Sequence, residues 1–322
     1  MIKISKKTLQ DLEFESVIQQ VAFHNVTTLG KAEILATLPF SNREEVIEAL
    51  QLTNEFVSSF DNENRIPNHG FDAITAQLKL IRIENNYLEI DGFRRIASIC
   101  VTTNILLKFF KKFHEYYPLL HKVSLRLEAN KEIPEAINSV VDKFGEIRND
   151  ASDTLYGLRK SIQSVRTKIN TSFNSALSMY NSADYLDDIR ETVMENRRVL
   201  AVKAMHRRKV KGSILGASKT GSIVYIEPDT TQQHQRDLNN LEFEETEEIK
   251  RILLELTSFI SGYSPLLESY QQFLTKIDVI YAKAKYAKTI DAVLPEVTKH
   301  QEIDLVNAYH PLLMVANKSE GI

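Results

Sequence analysis

The residues best suited to chemistry in this sequence are eight Lys and Arg side chains in one short stretch. From Arg197 to Ser222 the chain carries no Asp or Glu, although its net charge at pH 7 is −3. The eight are Arg197, Arg198, Lys203, Arg207, Arg208, Lys209, Lys211 and Lys219. Cations at this density attract phosphate groups without reading a base sequence. The stretch predicts contact with DNA or RNA; the alternative is a solvated loop that keeps an edge strand from aggregating.

The loop Gly-Ala-Ser-Lys-Thr-Gly at 216–221 is a second candidate for phosphate binding. A phosphate-binding P-loop continues after its second Gly with Lys and then Ser or Thr, on a turn from strand to helix. Here the next residues are Ser222, Ile223 and Val224, which continue into a strand-like run. Because the required Lys is absent, we reject a P-loop and interpret the segment as a glycine-supported turn between two strands.

The sequence contains no other signature of catalysis or metal binding. Its His residues are scattered, and no His or Cys cluster has the spacing of a metal site. The acidic run at 242–248 offers oxygen ligands, but a run of acids on a long helix is usually a solvated face. Cys100 is the single Cys and is expected to be a small buried residue of a cytoplasmic chain. We therefore expect no catalytic residue, metal or cofactor in this chain, and no membrane span.

Two long helices must position the basic stretch. Apolar residues recur at steps of three and four in two segments, which predicts helices over 142–180 and 229–262. One apolar stripe on so long a helix needs a partner, so the two helices should pack antiparallel as a coiled-coil arm. Between them, the runs VLAVKA (199–204) and SIVYIEP (222–228) predict a β-hairpin at the end of the arm.

The rest of the chain predicts medium-length helices. Gly and Pro are scarce, at 10 and 8 of 322 residues, which favours helix. A helix that follows Asn42 or Ser41 as N-cap places Val46, Leu50, Thr53 and Val57 on one face. A helix after Pro265 places another set on one face: Leu267, Tyr270, Phe273, Ile277, Ile280 and Ala284.

Many of these segments resemble the MutS family. The most specific are GEIRNDASDTLYGLR (145–159), NRRVLAVKA (196–204), KVKGSILGASKTGSIVYIEP (209–228), and Leu238-Asn239-Asn240 with the following EEIKRILLEL. LEFESVIQQVAFHNVTTLGKAEILATLPF, IPNHGFDAI, IDVIYAKAKYA and AYHPLL fit the same family. The resemblance spans nearly the whole chain. It is strongest to the second bacterial paralogue, which ends in a Smr nuclease domain and lacks the mismatch-reading domain.

The resemblance implies a mainly α fold, in which a helical core bears a long antiparallel coiled-coil lever with a small β-containing clamp at its tip. It divides the chain into core (1–141 and 263–300), lever (142–180 and 229–262), clamp (181–228) and the start of an ATPase domain (301–322). The chain ends about where that ATPase domain is expected to begin, and it contains no Walker motif.

The resemblance also implies a function for the basic stretch. Family members form homodimers whose clamps close around nucleic acid, while ATP and Mg²⁺ bind to the ATPase domain. No activity is expected of this chain alone, because the ATPase and Smr endonuclease domains are not in its sequence. One hypothesis is control of recombination on branched or duplex DNA; a second is a grip on the ribosomal RNA of collided ribosomes. A structural coiled-coil protein ranks lowest, since only Tyr225, Met205 and Ile214 would offer apolar contact at the tip.

Overall fold

The computed structural model describes residues 4–300 and 302–320, and it confirms a mainly helical protein. The helices are α1 (Lys6–Asp11), α2 (Phe14–Phe23), α3 (Thr28–Leu35), α4 (Arg43–Ser59), α5 (Thr75–Leu80), α6 (Ile90–Lys112), α7 (Pro118–Ser124), α8 (Glu132–Val140), α9 (Asp153–Ser182), α10 (Asp229–Ser261), α11 (Ser264–Thr289) and α12 (Pro311–Glu320). The strands are β1 (Leu186–Met194), β2 (Arg197–Lys203), β3 (Gly212–Ala217) and β4 (Ile223–Pro228). Within the described ranges, no helix is both long and apolar enough to cross a membrane.

The chain divides into two compact units. Unit 1 contains residues 4–139 and 143–146 together with the described residues from 254 onward, and unit 2 contains residues 140–142 and 147–253. Helix α11 is the centre of unit 1, where it packs against α2, α3, α4, α5 and α6. All six residues of its predicted apolar face are buried, as expected. Cys100 on α6 is also fully buried, and burial raises the pKa of its thiol to about 12, so it acts as an apolar core residue.

One carboxylate, Asp278 of α11, is fully buried in unit 1. Its Oδ1 accepts a hydrogen bond from Val26 N (3.0 Å) and lies 3.1 Å from His69 Nε2. Its Oδ2 accepts from Thr27 N (3.0 Å), Thr27 Oγ1 (2.5 Å) and Asn25 Nδ2 (3.1 Å). Burial alone raises the pKa of Asp278, but these hydrogen bonds outweigh burial and lower the pKa below its ordinary value. Asp278 therefore fixes the loop between α2 and α3 onto α11.

Helix α9 begins later than the predicted 142–180. It spans Asp153–Ser182, because Gly145 turns the chain with a φ of +87° and Ser152 caps the helix. The Ser152 Oγ accepts from Leu155 N at 3.0 Å, as an N-cap does. Helix α10 spans Asp229–Ser261, which matches the predicted start and ends one residue before the predicted 262.

Side-chain pairs in unit 2 join α9 and its cap to α10 in antiparallel order. They are Ser152 Oγ to Glu248 Oε1 (2.6 Å), Arg159 Nε to Glu245 Oε1 (2.7 Å) and Arg166 Nη2 to Glu242 Oε1 (2.8 Å). Hydrogen bonds from Arg251 and Ser152 lower the pKa of Glu248 to about 2. The acidic run is therefore not a uniformly solvated face: within it, only Glu244 and Glu247 are exposed acids.

The predicted strands form the centre of a larger antiparallel sheet, of order β1-β2-β4-β3. Strands β2 and β4 pair through Leu200↔Ile226 and Lys203↔Ile223, but they are not a hairpin, because β3 lies between them in sequence. The two outer strands, β1 and β3, were not predicted from the sequence. Strand β1 is rich in charged residues and irregular in register, and β3 contains two glycines. One face of the sheet packs on α9 through a shared apolar cluster: Phe173, Ala176, Tyr180, Leu186, Leu200, Val202, Val210, Val224 and Ile226.

Gly212, at the start of β3, is required by close backbone approach. A Cβ added there would lie 2.1 Å from Glu227 O, so we expect Gly212→Ala to destabilise unit 2 by about 2–4 kcal/mol. Gly157 on α9 is the matched control, since a Cβ there has no neighbour within 4 Å. Gly157→Ala should instead stabilise α9 by about 0.5–1 kcal/mol. Hydrogen exchange of the sheet amides measures both effects, and equal behaviour of the two variants would refute this role of Gly212.

Candidate nucleic-acid interface

Four of the eight predicted basic residues lie on a connection that crosses the sheet. Strands β2 and β3 both pair antiparallel with β4, so they run parallel to each other and residues 204–211 must return along the sheet. We call residues 204–211 the basic crossover. It is fixed near its end by the buried Val210 and by Lys211, whose backbone N–H donates to Tyr180 Oη (3.1 Å). The carbonyl of Lys211 accepts from Asp229 N at 3.2 Å.

Two of the eight predicted site residues hold the sheet together. Arg197 Nη1 lies 3.0 Å from an Oε2 of Glu227, whose side chain is only 4% exposed. Arg198 Nη2 lies 2.6 Å from Glu191 Oε2, and its guanidinium lies 4.2 Å from the centre of the Phe173 ring. Each of these two Arg side chains is thus paired with a carboxylate of unit 2, which makes them structural cations rather than free phosphate ligands.

Lys203 also has an internal partner. Its Nζ lies 2.8 Å from Asp184 Oδ1, and this hydrogen bond lowers the pKa of Asp184. These partners could not be predicted from the basic stretch, because Asp184, Glu191 and Glu227 all lie outside the segment that contains no acid. The one available signal was Glu227, a single acid inside the otherwise apolar run SIVYIEP.

The other five predicted residues are exposed. They are Arg207, Arg208, Lys209, Lys211 and Lys219, which we call the exposed basic set. Among the residues that the structure describes, no side chain forms an ion pair or hydrogen bond with any of these five cations. Lys209 makes one weak contact, with its Nζ 5.2 Å from the centre of the Tyr185 ring. Among the described residues, the basic crossover and the turn between β3 and β4 thus carry five exposed cations that have no carboxylate partner.

Lys219 belongs to the turn that joins β3 to β4. Gly221 N donates to Ser218 O (2.8 Å) and Ser218 N donates to Ile223 O (2.9 Å), while Gly221 has a φ of +70°. The interpretation of this loop as a glycine-supported turn is confirmed. Ser222 O accepts from Ala204 N at 2.9 Å, which places the end of the turn beside the start of the basic crossover.

Between residues 4 and 320, apart from 301, no group of three or more His, Cys, Asp or Glu is placed to hold a metal ion. The exposed basic set offers positive charge and N–H donors, which anionic oxygen accepts. Phosphate groups on a nucleic-acid backbone fit this chemistry.

Comparison with known proteins gives a consistent result. The proteins named endonuclease MutS2 from Geobacillus sp. (strain WCH70) and Staphylococcus epidermidis are each 29% identical to this chain, over 310 and 326 residues. These matches cover 95% and 98% of the chain. This chain is a relative of the MutS2 proteins. The endonuclease MutS2 of Pelotomaculum thermopropionicum is 27% identical over 310 residues, which is 96% of the chain.

The resemblance to the second MutS paralogue is therefore confirmed. The chain spans about two fifths of the length of these MutS2 relatives, at 39% for the Geobacillus protein and 41% for the Staphylococcus protein. No protein-family model matches the chain. The MutS2 similarity covers both units, including the basic crossover.

Proposed function

We propose that unit 2 is a nucleic-acid clamp of a MutS-like protein, and that the exposed basic set contacts the phosphate backbone. The strongest support is that the eight predicted cations fall into two groups, those paired with a carboxylate and those without such a partner. Three have carboxylate partners within unit 2, and five on the basic crossover and the adjoining turn have none. A cation without an internal partner can exchange its water and counter-ions for phosphate, which gives affinity without base readout.

In this proposal the two long helices act as the lever that supports the clamp. The three antiparallel side-chain pairs between α9 with its cap and α10 favour that role, because they resist sliding of one helix along the other. The target is branched or joint DNA, and the biological role is control of homologous recombination in the cytoplasm. The MutS2 relatives are named endonucleases, and we assign nuclease and ATPase chemistry, with ATP and Mg²⁺, to domains other than these two units. A homodimer would bring two clamps around one nucleic acid.

A protein-binding role for the same surface is less well supported. Met205 and Ile214 are 81% and 57% exposed, and Tyr225 is half-buried. Two exposed apolar side chains amid five cations are few for the apolar centre of a protein interface, which is depleted in charge.

The proposal predicts a large loss of DNA affinity when the basic crossover is neutralised. We expect Arg207→Ala, Arg208→Ala and Lys209→Ala together to weaken binding to a four-way DNA junction about a hundredfold, since three charged contacts are worth roughly 1 kcal/mol each. The matched control is Lys160→Ala, Lys168→Ala and Arg236→Ala, which removes the same charge from exposed helical positions of unit 2. Fluorescence anisotropy measures both affinities.

The control should lose no more than about threefold. Equal losses in the two triple variants would overturn the assignment to the basic crossover, because they would reflect net charge alone. Unchanged binding of the crossover variant would overturn the clamp proposal itself. A stronger preference for structured RNA than for the junction would replace DNA by ribosomal RNA as the target.

A further inference from the structure

A pocket in unit 1 lies outside the proposed clamp. It has a volume of about 750 Å³ and lies at the end of α6, beside α7 and the residues that follow α7. This volume is in the range of sites for small organic ligands. Part of its lining is apolar, formed by Leu107, Leu125 and Leu127. These three side chains form a surface on which the flat face of an aromatic ring could pack.

Two Lys and two His side chains also line the pocket. Lys108 and Lys111 come from α6, His114 follows it, and His121 comes from α7. The two His rings lie 5.7 Å apart, and Nδ1 of His114 lies 3.3 Å from Lys111 O, which orients that ring. Neither Lys forms an ion pair with any residue of the described chain. The rim therefore offers several N–H donors to an anion.

One acid, Glu128, also lines the pocket. Its loop is fixed by two reciprocal hydrogen bonds, from Asn104 Nδ2 to Asn130 O (2.7 Å) and from Asn130 N to Asn104 Oδ1 (3.1 Å). Tyr270 Oη donates to the carbonyl of Glu128 as well, at 2.5 Å. A carboxylate accepts hydrogen bonds from hydroxyl groups and repels a bare anion. The ligand should therefore carry hydroxyl groups as well as phosphate.

We propose that this pocket binds a mononucleotide. The leucine surface takes the base, Glu128 accepts hydrogen bonds from the ribose hydroxyls, and the two Lys and two His bind the phosphates. These three kinds of contact match the base, the ribose and the phosphates of a nucleotide. Inorganic phosphate or an apolar ligand would not use all three. The site lies in unit 1 and does not depend on the proposed clamp in unit 2.

Calorimetric titration of the 322-residue chain with ADP tests this inference. The sequence has no Walker motif, so no phosphate-binding P-loop competes for the nucleotide. We expect saturable one-to-one binding that Lys108→Ala with Lys111→Ala weakens at least about tenfold, because each charge-assisted contact is worth a factor of this order. The matched control is Lys112→Ala with Lys122→Ala, which removes equal charge from neighbouring positions outside the pocket. The control should change affinity less than twofold.

Several outcomes would overturn the nucleotide site. They are no heat of ADP binding at millimolar concentration, equal weakening by both double variants, and inorganic phosphate binding as tightly as ADP. A short single-stranded oligonucleotide that binds through Lys108 and Lys111 where ADP does not would also overturn it in favour of a nucleic-acid surface. Thermal unfolding of each variant shows whether the fold is retained, and Leu125→Ser, at a 66% exposed position, tests the base contact without a change of charge.

Discussion

Replacing Asp278 by Ala should lower the free energy of unfolding of unit 1 by about 3–5 kcal/mol. The variant leaves the buried N–H and hydroxyl of Thr27 without their acceptor, removes the acceptor of the part-buried Val26 N–H, and removes the partner of His69. Leaving a buried donor without an acceptor destabilises a protein by more than the hydrogen bond had stabilised it. Hydrogen exchange should show the loss in α2, α3 and α11, and it should leave the strands of unit 2 unchanged.

The contribution of Asp278 should also depend on pH. Its pKa is lowered in the folded protein, so its stabilising effect is present above the pKa of an unfolded Asp, about 4, and is lost as pH falls through the folded value. The difference between wild type and Asp278→Ala should therefore shrink below about pH 4. Asp72→Ala, at an exposed position, is the control and should stay within about 0.5 kcal/mol of wild type. A similarly small effect of Asp278→Ala would refute its role as the centre of the buried network.

Arg197→Ala should destabilise unit 2 by about 2–3 kcal/mol, below the full cost of a broken buried pair because Arg197 is itself 34% exposed. The cause is Glu227, which is 4% exposed and would keep a buried charge with no ion-pair partner. Adding Glu227→Gln to Arg197→Ala removes that charge and should restore part of the loss. Urea unfolding together with hydrogen exchange of β2 and β4 measures both variants.

Lys219→Ala provides the matched comparison for Arg197→Ala. Both remove one cation from the same stretch, but Lys219 has no carboxylate partner in the described structure, so unit 2 should keep its stability within about 0.5 kcal/mol. Lys219→Ala should instead weaken DNA binding. If Arg197→Ala leaves stability unchanged and weakens binding as Lys219→Ala does, the division between structural and free cations is wrong.

Hydrophobic periodicity predicted the buried face of the central helix α11 but not that of α4. The apolar face of α11, from Leu267 to Ala284, is buried as expected. In α4 the N-cap Asn42 was predicted correctly, with Glu45 N donating to its Oδ1 at 2.8 Å, but the buried face is centred on Leu52 and Phe56. The predicted positions of α4 are only half-buried. Phe56, whose ring centre lies 5.6 Å from that of Tyr281 on α11, marks the side of α4 that packs.

Properties that depend on pairing across the sequence could not be predicted. The basic stretch was predicted from composition. Which of its cations are paired depends on Asp184, Glu191 and Glu227, which the fold brings close to them. The path of the basic crossover was not predicted, because the order of the strands in the sheet, β1-β2-β4-β3, differs from their order in the sequence. The two glycines of β3 also make it hard to recognise as a strand from its sequence. The late start of α9 depends on a positive φ at Gly145, which a regular apolar repeat does not reveal.

The most direct test of the clamp proposal is binding of the chain to a DNA junction, duplex DNA and structured RNA across a salt series from about 50 to 200 mM. If four or five members of the exposed basic set contact phosphates, log affinity should fall with log salt at a slope of about −3.6 to −4.5, since each contact contributes about −0.9. We expect this slope on the DNA junction, with tighter binding there than to the other two. Absence of binding, or affinity that does not change with salt, would contradict a phosphate-gripping clamp.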